Sequence, residues 1–281
     1  MKNPRSAVFS LFFLIMLCLQ LFATQPVAIA GETIRINGSG SGLDMMMPLM
    51  DAYLKSKKGI TFEIEKPLGS SGAIKALIAG YLDIAVSSKP LKPEETAQGC
   101  KMRYYGKTPL TIVTNATNTK KNIATKELED IYSGLTRKWP NGDTIRPVLR
   151  PVEDIDTKIL KGFSPGMAEA INKANVQRGM IIAVTDPESN DAVAKTIGSI
   201  GASGLTGVLT GKWKLNVLSL NGVMPSTKTL SDGSYPLAKE VNFVVTEKLS
   251  EAATKFLNFI YSEKGRAIAE KSGVFVKTDA Q

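Results

Sequence analysis

Three short clusters of glycine and serine carry the chemistry that the chain's residue types offer: Gly40-Ser41-Gly42, Gly69-Ser70-Ser71-Gly72 and Ser87-Ser88-Lys89. Glycine lets a backbone come close to a ligand. A serine hydroxyl donates to an oxyanion or accepts a proton from its protonated form. A helix that starts directly after such a cluster adds unpaired N–H groups and the positive end of its dipole. Taken singly, a Gly-Ser cluster is an ordinary turn. Repeated after successive strands, the three describe a receptor for a compact anion with several oxygens. Ser41, Gly42, Ser70, Ser71, Gly72, Ser87 and Ser88 are therefore candidate ligand-binding residues. Arg150 ends the apolar stretch Ile145 to Leu149 and is the candidate to grip an oxyanion with both arms of its guanidinium; Arg146 is a second. Glu153, Asp154 and Asp156 follow at once. Three roles stay open for them: orienting the arginine, accepting protons from a protonated ligand, or capping the next helix. Lys89 either adds charge near the anion or is simply exposed.

Other chemistries find less support. No cluster ends in the Gly-Lys-Ser/Thr of a nucleotide-phosphate loop, and no dinucleotide fingerprint is present. The chain has no histidine, which removes the commonest metal ligand and acid–base residue. A Ser-His-Asp triad and a Cys/His zinc site are excluded, and neither metal nor cofactor is expected. Paired carboxylates suit a glycosidase, but no aromatic-rich, sugar-sized groove accompanies them, and no nucleophile has an activating partner. The expectation is a binding protein and not an enzyme. The net charge of +9 suits steering of anions. The basic residues are dispersed, as in Lys57-Lys58 and Lys120-Lys121, without the interleaved aromatics of a nucleic-acid groove, so no nucleic-acid partner is expected. Cys100 reads as a buried small side chain, and Asp83, inside a strand run, as structural.

The elements that must position these groups follow from periodicity. Thr33 to Ile36 is a short alternating strand, and Met47, Met50, Tyr53 and Leu54 recur at helical spacing behind it. Pro48 is expected near the start of that helix, where its missing N–H does least harm. A second strand, Thr61 to Lys66, precedes a short helix marked by Ile74, Leu77 and Ile78 and stopped near Gly80. Leu82 to Val86 is a third strand. This order is an α/β wind on a parallel sheet. Met102 to Thr114 reads as extended and leads out of a first lobe. A helix over Thr125 to Tyr132, an edge or irregular strand at Ile145 to Leu149 because of Pro147, and a helix near Asp156 to Lys161 follow. Ser164-Pro165 reads as an N-cap with proline in the first helical position. Met180 to Val184 reads as the clearest strand of a second lobe, Val193 and Ile197 as a helix, and Gly198 to Gly207 as too glycine-rich for a plain element. Leu215 to Leu220 closes on the turn signal Asn221-Gly222. Val241 to Val245 is a return strand, before terminal helices at Leu249 to Ile260 and Lys264 to Lys271.

At the start of the chain, Lys2 and Arg5 precede an apolar run from Ala7 to Leu21, and Ala28-Ile29-Ala30 supplies a small-x-small pattern. This is the layout of a secretory signal peptide over residues 1–30. The apolar run is short for a membrane span of about 20 residues. The expected location is periplasmic or otherwise extracytoplasmic.

These strings together resemble the phosphate-type substrate-binding proteins of bacterial ABC importers, within the type II periplasmic-binding superfamily. Gly38 to Gly42 corresponds to the family's glycine-rich first loop and Gly69 to Gly72 to its second, and Leu82 to Lys92 resembles its third-strand motif. Leu128 to Gly134 with Trp139 resembles the entry helix of the second lobe, while Tyr235-Pro236-Leu237 and Phe256 to Gly265 resemble the return segment and C-terminal helices. The resemblance implies an α/β fold of two lobes, joined by two crossing segments around a central cleft. Residues 31–114 with 225–281 would form lobe 1, and 115–224 lobe 2. It implies solute binding and transport, with phosphate or a related small oxyanion handed to an ABC permease. The alternative is a sensory or interaction protein on the same scaffold that binds another small solute and signals to a membrane sensor. A monomer is expected.

By the same correspondence Ser41, Ser70, Ser71, Ser87 and Ser88 belong to the first-lobe site, and Arg150 with Thr157 to the second. Two departures stand out. Many relatives carry aspartate where this chain has Ser88. Relatives also follow the arginine with an acidic-Gly-Ser-Gly-Thr-like loop, where this chain reads Arg150-Pro151-Val152-Glu153-Asp154-Ile155-Asp156-Thr157. Phosphate leads, with another oxyanion or a larger organic solute as alternatives.

Overall fold

A computed structural model describes residues 31–211 and 213–277; the signal-peptide expectation over Met1 to Ala30 lies outside them. Alternation sets the first strand: in β1 (Glu32–Gly38) Ile34 and Ile36 are buried and Thr33 is exposed. The chain then enters α1 (Gly40–Leu54), whose N-cap Ser39 accepts from the Gly42 N–H. The Gly40 to Gly42 cluster is therefore a first helical turn and not a loop. Pro48 lies well inside the helix, contrary to expectation. Its ring leaves the Asp44 carbonyl without the usual N–H four residues on. Because the helix starts so early, its apolar face is Met45, Met46, Leu49, Met50 and Tyr53, while Met47 and Leu54 face solvent.

β2 (Ile60–Glu63), α2 (Gly69–Ile78) and β3 (Ile84–Ser87) complete the wind. β2, β1 and β3 run parallel, as their spacing predicts. Gly80 takes a positive φ of 81° just past α2, the left-handed stop expected there. After the short α3 (Pro93–Ala97), β4 (Lys101–Asn115) runs unbroken for 15 residues.

The second half of the chain builds β5 (Asn122–Ile123), α4 (Thr125–Tyr132), β6 (Arg146–Leu149), α5 (Ile155–Phe163), α6 (Pro165–Val176) and β7 (Ile181–Ile182). It continues with α7 (Asp186–Lys195), β8 (Ser199–Gly204), α8 (Leu205–Thr210), β9 (Leu215–Leu220) and α9 (Thr227–Ser231). β10 (Ala238–Val245), α10 (Glu251–Tyr261), α11 (Glu263–Lys271) and β11 (Phe275–Val276) close the chain. Ser164 caps α6 with Pro165 in the first turn, as its sequence predicts.

Three expectations are corrected. Met180 to Val184 supplies only the two-residue β7, whose Ile182 is exposed, as is Val184. β6 is flanked by β8 and β7 and is not an edge strand; Pro147 pairs with Ile200, and β7 joins only at Val148 and Leu149. Gly198 to Gly207 contains β8, wholly buried beside β4 and β6. Its glycines are needed for close packing. A methyl group at Gly201 would meet Val193 at 3.0 Å, and one at Gly204 would meet the Ser41 hydroxyl at 2.4 Å.

The strands follow the order β2-β1-β3-β10-β4-β8-β6-β7, and β4 belongs to both halves. Up to Pro109 it pairs with β10; from Leu110 it pairs with β8 and β9. Ile34, Ile36, Met46, Tyr105, Phe243 and Phe256 anchor one core, and Leu110, Leu128, Trp139, Met167, Ile200 and Leu218 anchor the other. The chain returns where Ala238 pairs with Pro109. There the Leu110 N–H donates to Leu237 O, and the Tyr235 hydroxyl donates to Leu110 O at 2.9 Å. Two crossing segments thus lie side by side, with a lobe on each side and a cleft between.

Candidate functional site

A cavity of about 240 Å³ opens in that cleft. Its first-lobe wall is the head of α2 with Ser39, Gly40 and Lys89. Arg150, Asp154 and the start of α7 form the second-lobe wall, and Lys239 of β10 forms part of the lining. Three of the sequence candidates line it: Ser70, Ser71 and Arg150. They sit where they do for local reasons. α2 has no side-chain cap, because Leu68 occupies the N-cap position and its own N–H donates to Asn37 Oδ1. The positive end of α2 therefore faces the cavity. Ser70 Oγ accepts from the Ser88 N–H at 2.9 Å, which leaves its hydrogen to donate elsewhere. Arg150 is 93% buried, and Asp154 holds its Nη2 at 2.7 Å. Nε and Nη1 of Arg150 have no hydrogen-bond partner among the described residues. Buried donors without partners are uncommon and expensive to leave so.

The other six candidates stand behind the cavity wall. Gly42 faces Val86, where a methyl group would meet the valine at 2.5 Å; its smallness serves the packing of α1 on β3. Gly72 lies a turn into α2, and a methyl group there would meet Leu68 at 3.0 Å. Ser87 donates to Lys89 O, and Ser88 donates to Ser39 Oγ at 2.9 Å, tying the heads of α1 and α2 together. Thr157 donates to Arg150 O at 3.1 Å and fixes the arginine's backbone. Ser41 is buried, and its hydroxyl is already engaged. Arg146 turns away to Thr144 O and Ile197 O. Lys89 lines the cavity, 3.7 Å from Glu95. Asp83 binds Arg35 through side chain and backbone, the structural role expected of it.

The group that engages Ser41 is Asp186, which the sequence reading missed. Its Oδ1 accepts from Ser41 Oγ at 3.1 Å and from Lys239 Nζ at 2.7 Å, while its Oδ2 accepts from the Gly40 N–H at 3.1 Å. Arg150 Nη2 stands 3.8 Å away. A carboxylate from the second lobe thus occupies the head of α1, where the positive dipole end favours an anion. Lys239, 1% exposed, also pairs with Asp156 at 2.7 Å. Burial by itself would raise the Asp186 pKa; Lys239 and Arg150 outweigh it and hold the carboxyl well below the usual carboxylate range. Burial pushes Asp156 up, against the pull of Lys239. Burial also works against the Lys239 ammonium, but Asp156 and Asp186 more than offset it and raise its pKa. One legible signal existed: Thr185-Asp186-Pro187-Glu188 is a capping box, and the structure shows it capping α7. It marks a helix start, not the direction of the Asp186 side chain. For Lys239, a lysine in an alternating strand, no signal existed.

Asp154 explains the departure in the stretch after Arg150. Its Oδ1 accepts from the Asp156 N–H and caps α5, while its Oδ2 holds Arg150. Of the three roles left open for these acids, capping and orienting are both filled by this one side chain.

Two lobes, two crossing strands and a polar cleft lined from both sides define the architecture of a solute-binding protein. The chain belongs to the PBP superfamily: the family described as a PBP superfamily domain matches residues 23–264. It is 28% identical over 270 residues to protein SphX of Synechococcus elongatus, covering 89% of this chain and 79% of that protein. It is 26% identical over 259 residues to the phosphate-binding protein PstS of Borreliella burgdorferi, covering 86% and 89%. Among solved structures, a Clostridium perfringens protein with bound phosphate superposes with a TM-score of 0.72 at 24% identity, covering 88% of this chain and all of that one. A phosphate-binding protein of Stenotrophomonas maltophilia gives 0.64 at 15% identity, covering 89% and 92%. The fold is the two-lobe type II periplasmic-binding fold, and the chain is homologous to PstS and SphX.

Proposed function

We propose that this solute-binding protein takes phosphate or a related small oxyanion in its cleft and delivers it, outside the cytoplasm, to an ABC importer. One observation carries the reading. Arg150, whose Nε and Nη1 are buried without a hydrogen-bond partner among the described residues, lines the same cavity as the uncapped, serine-bearing head of α2. A helix head and a guanidinium together replace much of the water around a small anion. The PstS homologues of Borreliella burgdorferi and Staphylococcus saprophyticus are named phosphate-binding proteins, which supports the reading. The importer partner rests on homology alone, and the extracytoplasmic location on the Lys2-to-Ala30 export pattern.

Calorimetric titration of the purified protein with phosphate, sulfate, arsenate and a phosphonate tests the reading. A single saturable site for at least one of them is expected. Absence of binding by all four from micromolar to millimolar concentration would rule it out.

A further inference from the structure

The head of α1 and the head of α2 face the same cleft, yet they are treated differently. At α2 the first turn is open to the cavity. At α1 the Gly40 N–H and the Ser41 hydroxyl are both spent on Asp186, a side chain of the opposite lobe. Two more contacts reinforce this join. The Thr206 hydroxyl donates to Ser41 O at 2.9 Å, and the absence of a side chain at Gly204 is what lets β8 approach Ser41.

We propose that Asp186 is a built-in substitute for part of the solute: its carboxylate occupies the oxyanion seat at the head of α1 and latches the two lobes together. The inference rests on the reading of the cleft as a solute site. It adds that solute competes with a side chain of the protein for the donors at the head of α1. Three features support the assignment. The carboxylate accepts from one N–H, one hydroxyl and one ammonium, the donor set a bound oxyanion would use. It does so across the lobe boundary, so its contacts break if the lobes part. Lys239 does not depend on it alone, since Asp156, also of the second lobe, pairs with the same ammonium and keeps it paired when solute displaces the Asp186 carboxylate.

A latch of this kind has two consequences. Without solute the lobes rest closed, because the closed state already has an anion at α1. Solute affinity is reduced by the fraction of molecules in which the latch must first be displaced. Asp186→Gly should therefore give a protein that is open without solute and binds phosphate more tightly.

The test uses small-angle X-ray scattering and phosphate calorimetry on the same samples. Wild type is expected to keep the same radius of gyration with and without 10-fold to 100-fold excess phosphate, excess here meaning about that range over the dissociation constant. Asp186→Gly is expected to expand without phosphate, contract with it, and bind at least about tenfold more tightly. Gly40→Ala is a second variant that keeps every charge: the added methyl would meet Asp186 Cβ at 2.5 Å and drive the carboxylate off its seat. It guards against a folding defect in the first variant and should shift both readouts the same way. A wild type that is expanded without phosphate, or variants with unchanged scattering and unchanged affinity, would overturn the latch and leave the oxyanion reading standing. Variants that expand while no protein binds phosphate would uphold the latch and send the ligand assignment elsewhere.

Discussion

The Asp186 carboxylate stands 2.7 Å from the Lys239 ammonium, and both side chains are almost fully shielded from water. Lys239 is on the strand that re-enters the first lobe; Asp186 opens a helix of the second. With Asp156 and Arg150 they form a buried charge network at the base of the cleft. Removing one member of a buried pair leaves the other charged without compensation, which typically costs about 3–5 kcal/mol. Lys239→Met takes the paired cation from Asp156 and the nearer of two cations from Asp186. Urea denaturation of that variant should show a loss of at least this size; a loss under about 1 kcal/mol would mean that water reaches the network.

Arg150→Ala removes the only guanidinium that lines the cavity among the described residues. Hydrogen bonds to a charged group contribute about 1.5–3 kcal/mol each, so oxyanion affinity should fall by at least about tenfold. Equal affinity in calorimetry would move the second-lobe contact away from Arg150.

Asp154→Asn tests the acid that holds the arginine. An amide oxygen can keep the cap on α5, but the ion pair with Arg150 is lost. With one negative charge fewer in the cavity lining, phosphate should bind more tightly and not more weakly. A weaker complex would show that the carboxylate's orientation of Arg150 outweighs its repulsion of the anion.

Asp44 makes stability depend on pH. Burial, with Asp186 adding to it and Lys239 opposing, pushes its carboxyl up to about 7, and its Oδ2 has no hydrogen-bond partner among the described residues. A carboxyl with a folded pKa above its unfolded one binds more protons when folded. Its contribution is present at pH 4 and is lost as pH rises towards 7, at most about 4 kcal/mol for a shift of this size. Asp156, also pushed up by burial, adds slope of the same sign. Asp186, held low, contributes in the opposite sense and only below the ordinary carboxylate range. Thermal melts of wild type and Asp44→Asn from pH 4 to pH 8 should show a flatter profile in the variant. Parallel profiles would contradict this account.

Gly204→Ala places a methyl group 2.4 Å from the Ser41 hydroxyl and 2.8 Å from Ser41 Cβ, between the lobes. Overpacking of this kind usually costs about 1–3 kcal/mol, and here it should also part the lobes at their join. A lowered melting temperature with an increased radius of gyration is expected. An unchanged melting temperature would show that β8 can shift without loss.

The lobe plan was legible in the sequence because its signals are local. Ile34 and Ile36 alternate, Gly80 stops a helix, and Ser164-Pro165 starts one. Ser70, Ser71 and Arg150 were legible as residues facing the cleft because a helix head and a strand end point their groups in a direction that the element itself fixes. β8 was not, because its glycines look like a loop until the neighbouring Val193 and Ser41 show why larger side chains are excluded. Ser41 was read as facing a ligand. No pattern within ten residues of it reveals that Asp186, 145 positions later, accepts the hydrogen bond from its hydroxyl. Lys239 was invisible for the same reason: a buried lysine is defined by partners from elsewhere in the chain, and those partners are set by the packing of one lobe on the other.

The most direct measurement is a crystal structure of the protein grown or soaked with saturating phosphate. The account predicts one tetrahedral anion within hydrogen-bond distance of Arg150 Nε or Nη1 and of the first turn of α2 at Ser70 and Ser71. An anion bound away from both groups, or a cleft that stays unoccupied while calorimetry shows saturation, would contradict it.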